Sequence, residues 1–444
     1  MQLTKVIIEN FKCFGVHDVL LHDQFNLIVG ENGSGKTALL DACAVAIGSF
    51  LLGIGGADSR HIRSHEVRLK KTPHGSHQSE NLQPQRFTWE RQYPCAISAE
   101  GSLNGKNVIW RRAVNSEGGR TTYGEANNIK NIATELARKT RDGDVVDLPV
   151  LSYYGTGRLW QEPRDNFKVR GAKQAKKSQK KSRLDGYQMS VDPRLSVAQL
   201  TAWIAQEAWV AFQNGLNRTT EMELLSAALM CCVDGMTDIY FDAAAEEIIV
   251  DVKGESQPFS NLSDGQRCML ALVGDIAKKA IVLNPHLAGD ALKMARGVVL
   301  IDELDLHLHP RWQRNVVENL RTAFPCMQFI CTTHSPFIIQ SLRDGEELLM
   351  LGGQPPEKVN NRSIEEISLE IQGVKEVEAS VRYAQMRDDA KKILVKLYDS
   401  ERLSENERAA LGQEIDAVVK KYADNPAYQA FLEMNKVAKL GEKS

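Results

Sequence analysis

The stretch Gly30-Glu31-Asn32-Gly33-Ser34-Gly35-Lys36-Thr37 constrains this chain more than any other. It fits the pattern G-x-x-x-x-G-K-[ST] at every fixed position. The apolar run Phe25 to Val29 before it predicts a buried strand. The spacing of Leu39, Leu40, Cys43, Ile47 and Leu51 after it predicts a helix with one apolar face. Strand, glycine loop and helix together form a phosphate cradle. Glycines let backbone N–H groups curl around phosphate oxygens, and the helix N-terminus adds partial positive charge. Asn32, Gly33, Ser34, Gly35, Lys36 and Thr37 are therefore predicted to bind a nucleoside triphosphate. Lys36 would reach the β- and γ-phosphates, and Thr37 would offer its hydroxyl to Mg²⁺.

Bulk composition narrows the class. With 444 residues there is room for two or three domains. A formal net charge of −2 carries no global signal for nucleic acid, so any such contact must be local. The eight cysteines include no C-x-x-C pair, which suggests reduced thiols rather than disulfides or zinc. The start MQLTKVIIENF lacks the form of a signal peptide, and no apolar run is long enough to span a membrane. The expectation is a cytoplasmic protein without a membrane partner.

Residues 3–14 alternate as a strand, and 18–29 supply one or two more. Residues 53–86, rich in Gly, Pro and polar side chains, read as a long mobile surface loop. It carries His61, His65, His74 and His77, for which solvated loop histidines are favoured over a metal site because no acidic or Cys partner sits at ligand spacing. Segments 87–93, 95–99 and 107–114 read as strands extending the first sheet. Residues 127–139 read as a helix, and Leu148 to Tyr154 as a strand ending in Gly155-Thr156-Gly157-Arg158. Eight basic residues and no acid lie between 168 and 183. The stretch is either a solvated loop or a grip on nucleic-acid phosphates. Across 195–231, Val197, Leu200, Trp203, Ile204, Trp209 and Phe212 form a broad apolar stripe suited to packing. Residues 237–252 read as a two-stranded hairpin. From 363 onward the chain reads as charged helices, with Tyr383, Met386, Ala390, Ile393, Leu394 and Leu397 on one face.

The second chemical landmark is Gly297 to Glu303: four apolar residues, then two acids. Asp302 would emerge at the end of a buried strand and hold Mg²⁺ through water. Glu303 would take a proton from attacking water. The strand predicted at 327–333 ends at His334. A lone histidine after a strand is more often structural, but its interval after the acidic pair favours a catalytic role.

The order of these motifs resembles the ABC ATPases: phosphate loop, then Leu262-Ser263-Asp264-Gly265-Gln266, then Asp302-Glu303, then Leu304-Asp305, then His334. The opening Ile8-Glu9-Asn10-Phe11-Lys12-Cys13-Phe14, Glu303 to Pro310 and Thr333-His334-Ser335-Pro336 are similar to RecF-, SMC- and OLD-type members rather than to transporters. Residues 38–261 show no sustained heptads of an SMC arm, and the tail shows no acidic cluster of an OLD nuclease. The YYGTGR segment and the Asn-Pro-Ala-Tyr tail resemble the Septu ATPase family, PtuA, also found with some retrons.

The resemblance implies an α/β ABC-ATPase head: a mixed sheet core with N-terminal antiparallel strands and a helical subdomain, followed by a C-terminal helical extension. The expected divisions are 1–160, 161–260, 261–355 and 356–444. It implies ATP with Mg²⁺ as ligands, and heads that pair head to tail as a homodimer or higher oligomer. Ser263, Gly265 and Gln266 would then meet the γ-phosphate bound by the other copy, Asp305 would cross the interface, and His334 would sense the γ-phosphate. Lys12 and Gln161 are further candidates for nucleotide contact. The family pattern has glycine where Asp264 stands. The resemblance also implies a partner HNH nuclease, PtuB-like, held by 363–444. The competing expectation is a RecF-like repair ATPase that uses 168–183 on DNA without a nuclease.

Overall fold

The computed structural model describes residues 1–74, 86–159, 182–343, 345–352, 362–374, 380–400 and 403–441. The chain divides into two compact units, Met1–Ile367 and Ser368–Ser444.

In the first unit, β1 (Gln2–Phe11) turns at Lys12 and Cys13 into β2 (Phe14–Leu20), so the strand expected over 3–14 breaks there. Lys12 adopts a left-handed φ of 49°, which closes the reversal. Then come β3 (Phe25–Val29), α1 (Lys36–Leu51), β4 (Leu69–His74), β5 (Arg86–Arg91), β6 (Cys95–Leu103), β7 (Lys106–Val114), α2 (Asn127–Asp142) and β8 (Val150–Tyr154). Next are α3 (Val197–Gln213), α4 (Thr220–Cys232), β9 (Met236–Asp242), β10 (Glu247–Val252), β11 (Glu255–Pro258), α5 (Asp264–Leu283), α6 (Ala291–Met294) and β12 (Gly297–Ile301). The unit continues with α7 (Pro310–Gln313), α8 (Val316–Ala323), β13 (Met327–Thr332), α9 (Pro336–Gln340) and β14 (Leu348–Met350), before α10 (Ile364–Glu370).

Five strands form a parallel sheet in the order β14-β3-β13-β12-β8, and four form an antiparallel sheet in the order β2-β1-β6-β7. The α/β class with antiparallel N-terminal strands is thus present, with the antiparallel strands in a sheet of their own. Helix α1 packs against both sheets. Its apolar spacing predicts one buried face. Instead every residue except Thr37 is buried, because β1, β6 and β7 cover one side and β12 and β13 the other. An all-round apolar helix is the sequence consequence of burial on all sides.

Three other expectations change. Part of 53–86 is ordered: Arg60 is buried and bonds Asp41 of α1 at 3.0 Å and Glu66 at 2.5 Å, and β4 follows. Residues 75–85, including His77, lie outside the described residues. Strand β5 pairs with β4 rather than extending the first sheet, whereas β6 and β7 do extend it. On α3, Leu200, Trp203 and Ile204 are buried, but Trp209 and Phe212 are 58% and 75% exposed and stack on each other at 5.8 Å. The stripe is wider than the surface that α5 and β9 can cover. The hairpin of 237–252 gains a third strand, β11.

The second unit holds α11 (Val381–Tyr398), α12 (Glu405–Lys421) and α13 (Pro426–Leu440). Ser380 caps α11, Ser404 and Glu407 close a capping box on α12, and Asn425 with Pro426 starts α13. Met386, Ile393, Leu397, Leu411, Ile415 and Leu432 share its own core. Ala390 joins them, whereas Tyr383 of the expected face is exposed.

Candidate active site

Strand order sets the site. The parallel register brings Ile301 level with Cys331 on one side and with Tyr154 on the other, and Thr332 level with Ile28. The segments leaving the C-terminal ends of β3, β13, β12 and β8 therefore emerge side by side. They are the phosphate loop, Thr333-His334, Asp302-Glu303 and Gly155 to Arg158. A crevice beyond the strand ends is where parallel α/β sheets bind ligands.

The loop geometry explains its glycines. Gly33 and Gly35 have φ of 83° and 104°, in the left-handed region. A Cβ on Gly35 would also lie 2.6 Å from Cys13 Sγ and 2.8 Å from Phe14, so the loop packs directly on the β1–β2 turn. That contact links the opening motif to the phosphate loop. Lys36 folds over the loop, donating to Gly30 O at 2.7 Å and Glu31 O at 2.9 Å. Burial pulls the Lys36 ammonium below the ordinary lysine range, while Asp302, Glu303 and Asp305 favour its charged form.

Thr37 Oγ1 donates to the Asp302 carboxylate at 3.0 and 3.3 Å. A hydroxyl and a carboxylate are hard oxygen donors of the kind Mg²⁺ takes. Ser34 Oγ is buried in the loop with no hydrogen-bond partner, as a donor awaiting a phosphate oxygen would be. The residues present thus fit Mg²⁺ and a phosphate chain. Among the described residues, no cluster of three or more His, Cys, Asp or Glu could hold any other metal.

The acidic pair is fixed by its backbone. Thr332 Oγ1 donates to Asp302 Oδ1 at 2.7 Å and accepts from Glu303 N–H at 2.7 Å. Glu303 has a φ of 48°, an uncommon value for a side chain of its size. Asp305 Oδ1 accepts from Thr333 Oγ1 at 2.5 Å and from His334 N at 3.3 Å, so the segments after β12 and β13 are tied together. His334 is exposed.

A cleft of about 260 Å³ adjoins Thr37 and Asp302, lined also by Asp41, Tyr153, Gly155 and Arg194. Lys12 reaches this cleft, and its ammonium is ion-paired with Asp41 and lies 3.9 Å from Glu66. Burial raises the Asp41 carboxyl, but Arg60 and Lys12 outweigh it and leave the group below the usual carboxylate range. Tyr153 donates to Asp41 at 3.2 Å, and burial pushes its phenol well up.

The signature segment stands apart. Ser263 caps α5, and its hydrogen bonds close on Gln266 in a capping box. Asp264 pairs with Arg267. A Cβ on Gly265 would lie 2.5 Å from His307 O, so the signature packs on the loop that follows Glu303. Among the described residues, no hydrogen bond joins Ser263, Gly265 or Gln266 to the phosphate loop. Gln161 and residues 168–181 lie outside the described residues. Sequence reasoning passed over Asp41, Tyr153, Arg158 and Thr332. All four stood in segments read as elements or motifs, but none had a spacing rule to mark it as part of the site.

In sequence the chain resembles proteins named as ATPases and as a Septu protein. A family model described as an AAA domain matches residues 5–221. The Retron Vc95 probable ATPase of Vibrio cholerae is 24% identical over 359 residues, which are 71% of this chain and 66% of that protein. The Septu protein PtuA of Bacillus mycoides is 39% identical over 116 residues, which are 26% of this chain and 16% of that protein. The chain therefore spans less than two thirds of the length of these relatives. Among solved structures, an SMC head bound to the C-terminal winged-helix domain of ScpA aligns over 76% of this chain and 90% of its own, with 18% identity and a TM-score of 0.42.

Proposed function

We propose that this chain, an ABC-type P-loop ATPase resembling PtuA, is the ATP-hydrolysing subunit of an anti-phage defence complex and regulates a partner HNH nuclease. One observation carries the catalytic part. The phosphate loop, Asp302-Glu303 and His334 leave adjacent parallel strands, while the bonds of Ser263 and Gln266 close on each other. That supports half of a composite site, completed by the signature of a second copy.

In this reading Asn32 to Thr37 bind the ATP phosphates. Thr37 and Asp302 hold Mg²⁺, which neutralises phosphate charge when bound. Glu303 takes the proton of the attacking water, and His334 orients it against the γ-phosphate. Ser263, Gly265 and Gln266 of the second copy offer the α5 N-terminus to the γ-phosphate. Asp305 couples the two heads. The helices of 363–444 dock the nuclease, while use of 168–183 on DNA belongs to the RecF-like alternative. Among the described residues, no helix is long and apolar enough to cross a membrane, which fits a cytoplasmic complex.

The test is a pull-down of the tagged chain from its native gene neighbourhood, with and without ATP, followed by mass spectrometry. Phosphate release is measured for wild type and Glu303→Gln in parallel. An HNH-type protein in the eluate is expected, with turnover lost in Glu303→Gln by about 100-fold or more. Recovery of DNA alone would favour the RecF-like alternative. Wild-type turnover in Glu303→Gln would remove the general-base assignment.

A further inference from the structure

Arg158 is 1% exposed, and among the described residues no carboxylate lies within ion-pair distance of its guanidinium. A buried cation without a counter-ion is costly unless its donors are all satisfied. Here the satisfaction comes from carbonyl oxygens. Nη1 donates to Asp302 O at 2.7 Å and to Gly155 O at 3.2 Å. Nη2 donates to Glu303 O at 3.1 Å, and Nε to Cys268 Sγ at 3.1 Å. The guanidinium thus grips both peptide carbonyls of the acidic pair at once. It also touches α5, the helix that Ser263 caps.

The main chain of Arg158 is itself anchored. Its carbonyl accepts from Leu195 N at 2.9 Å, and Gly155 N donates to Pro193 O at 2.7 Å. Residue 303 takes a left-handed backbone that a glutamate rarely adopts, and such a conformation persists only where its surroundings over-determine it. Three groups hold it: Thr332 on the N–H, and Arg158 together with the Leu306 N–H, at 3.0 Å, on the carbonyl.

We propose that Arg158 is a positioning residue for hydrolysis: it holds the Asp302 and Glu303 carbonyls so that the Glu303 carboxylate is aimed at the attacking water. The role rests on the reading of Glu303 as general base. A planar fork with several fixed donors is needed, because one ammonium cannot span two successive carbonyls and a thiol with the same geometry. The effect falls on the chemical step, since among the described residues no hydrogen bond joins the Arg158 guanidinium to the phosphate loop.

The test uses the full chain with Arg158→Met, Arg158→Lys, Glu303→Gln and the double variant Arg158→Met/Glu303→Gln. Phosphate release gives kcat and KM, and calorimetry with a non-hydrolysable ATP analogue gives Kd. Arg158→Met is expected to lower kcat about 10-fold to 100-fold. Its Kd should stay within about threefold of wild type. Arg158→Lys should recover part of the loss. In the Glu303→Gln background, Arg158→Met should cost nothing further, because both act through one carboxylate. Wild-type kcat in either single Arg158 variant, or losses that multiply in the double variant, would overturn the proposal. If Arg158→Met is insoluble, Arg158→Lys decides alone by its kcat at unchanged Kd. Wild-type turnover in Glu303→Gln would instead strike the general-base reading, whatever Arg158 does.

Discussion

Thr332→Val is the sharpest perturbation that leaves every nucleotide-facing group in place. Thr332 is 1% exposed at the end of β13, and valine replaces its hydroxyl with a methyl of similar size, so the loss is of hydrogen bonds rather than of volume. Two hydrogen bonds are lost. The bond to the Asp302 carboxylate is to a charged acceptor and contributes about 1.5–3 kcal/mol, and stranding the Glu303 N–H costs about 1 kcal/mol or more. A total near 3 kcal/mol is about the size of the effect. For the unit Met1–Ile367, an unfolding entropy of about 0.8 kcal/mol/K converts that to a fall in Tm of about 4 °C. Turnover should drop further than stability suggests, because the left-handed Glu303 loses its N–H anchor. A kcat loss of about 10-fold or more at unchanged analogue Kd is expected. Differential scanning fluorimetry and phosphate release measure both. A variant with wild-type Tm and wild-type kcat would refute the claim that Thr332 holds the acidic pair.

Lys36 gives a pH test. Burial depresses its pKa in the free chain, and bound phosphates favour the ammonium, so binding raises it. Affinity is then full below the free-state pKa and falls as pH rises through the bound-state pKa. Proton uptake on binding should appear on the alkaline side, below the ordinary lysine range, in calorimetry across buffers of different ionisation enthalpy. Buffer-independent heats there would contradict it. Gly265→Ala places a Cβ against His307 O and must shift the loop after Glu303. Analogue binding should persist while kcat falls about 10-fold, and wild-type kcat would show the loop absorbs the clash. Removal of residues 368–444 deletes a unit with its own core. The shortened chain should bind the ATP analogue with Kd within about threefold of the full chain and lose the partner protein; co-purification of the partner would remove the docking role.

Legibility in the sequence followed locality. The phosphate-loop motif at Gly30 to Thr37 needs only a strand, a loop and a helix in succession, so it could be read directly. The same holds for the acids after β12. Chemistry that depends on strand order could not be read. Nothing in the sequence says that β13 lies between β3 and β12, yet that order makes Thr332 the neighbour of both Asp302 and Glu303. Helix α1 misled for a related reason. A helix covered by two sheets carries apolar residues all round, and Leu39, Leu40 and Cys43 mark one face only if the other is assumed to meet water. Trp209 and Phe212 erred the other way: helical spacing marks a stripe, but only the tertiary fold decides how much of it is covered.

The two acids are held differently, Asp302 through its carboxylate as well as its carbonyl and Glu303 through its backbone. A carboxylate meant to accept a proton cannot also be pinned by strong donors, since each donor favours its ionised form and weakens it as a base. The Asp302 carboxylate receives hydroxyls from Thr37 and Thr332. Glu303 is oriented through its N–H and its carbonyl instead. Two adjacent acids at the end of one strand are thereby held in different ways. The difference is made by Thr332 and Arg158, one on β13 and one just past β8, which the strand order brings to either side of β12.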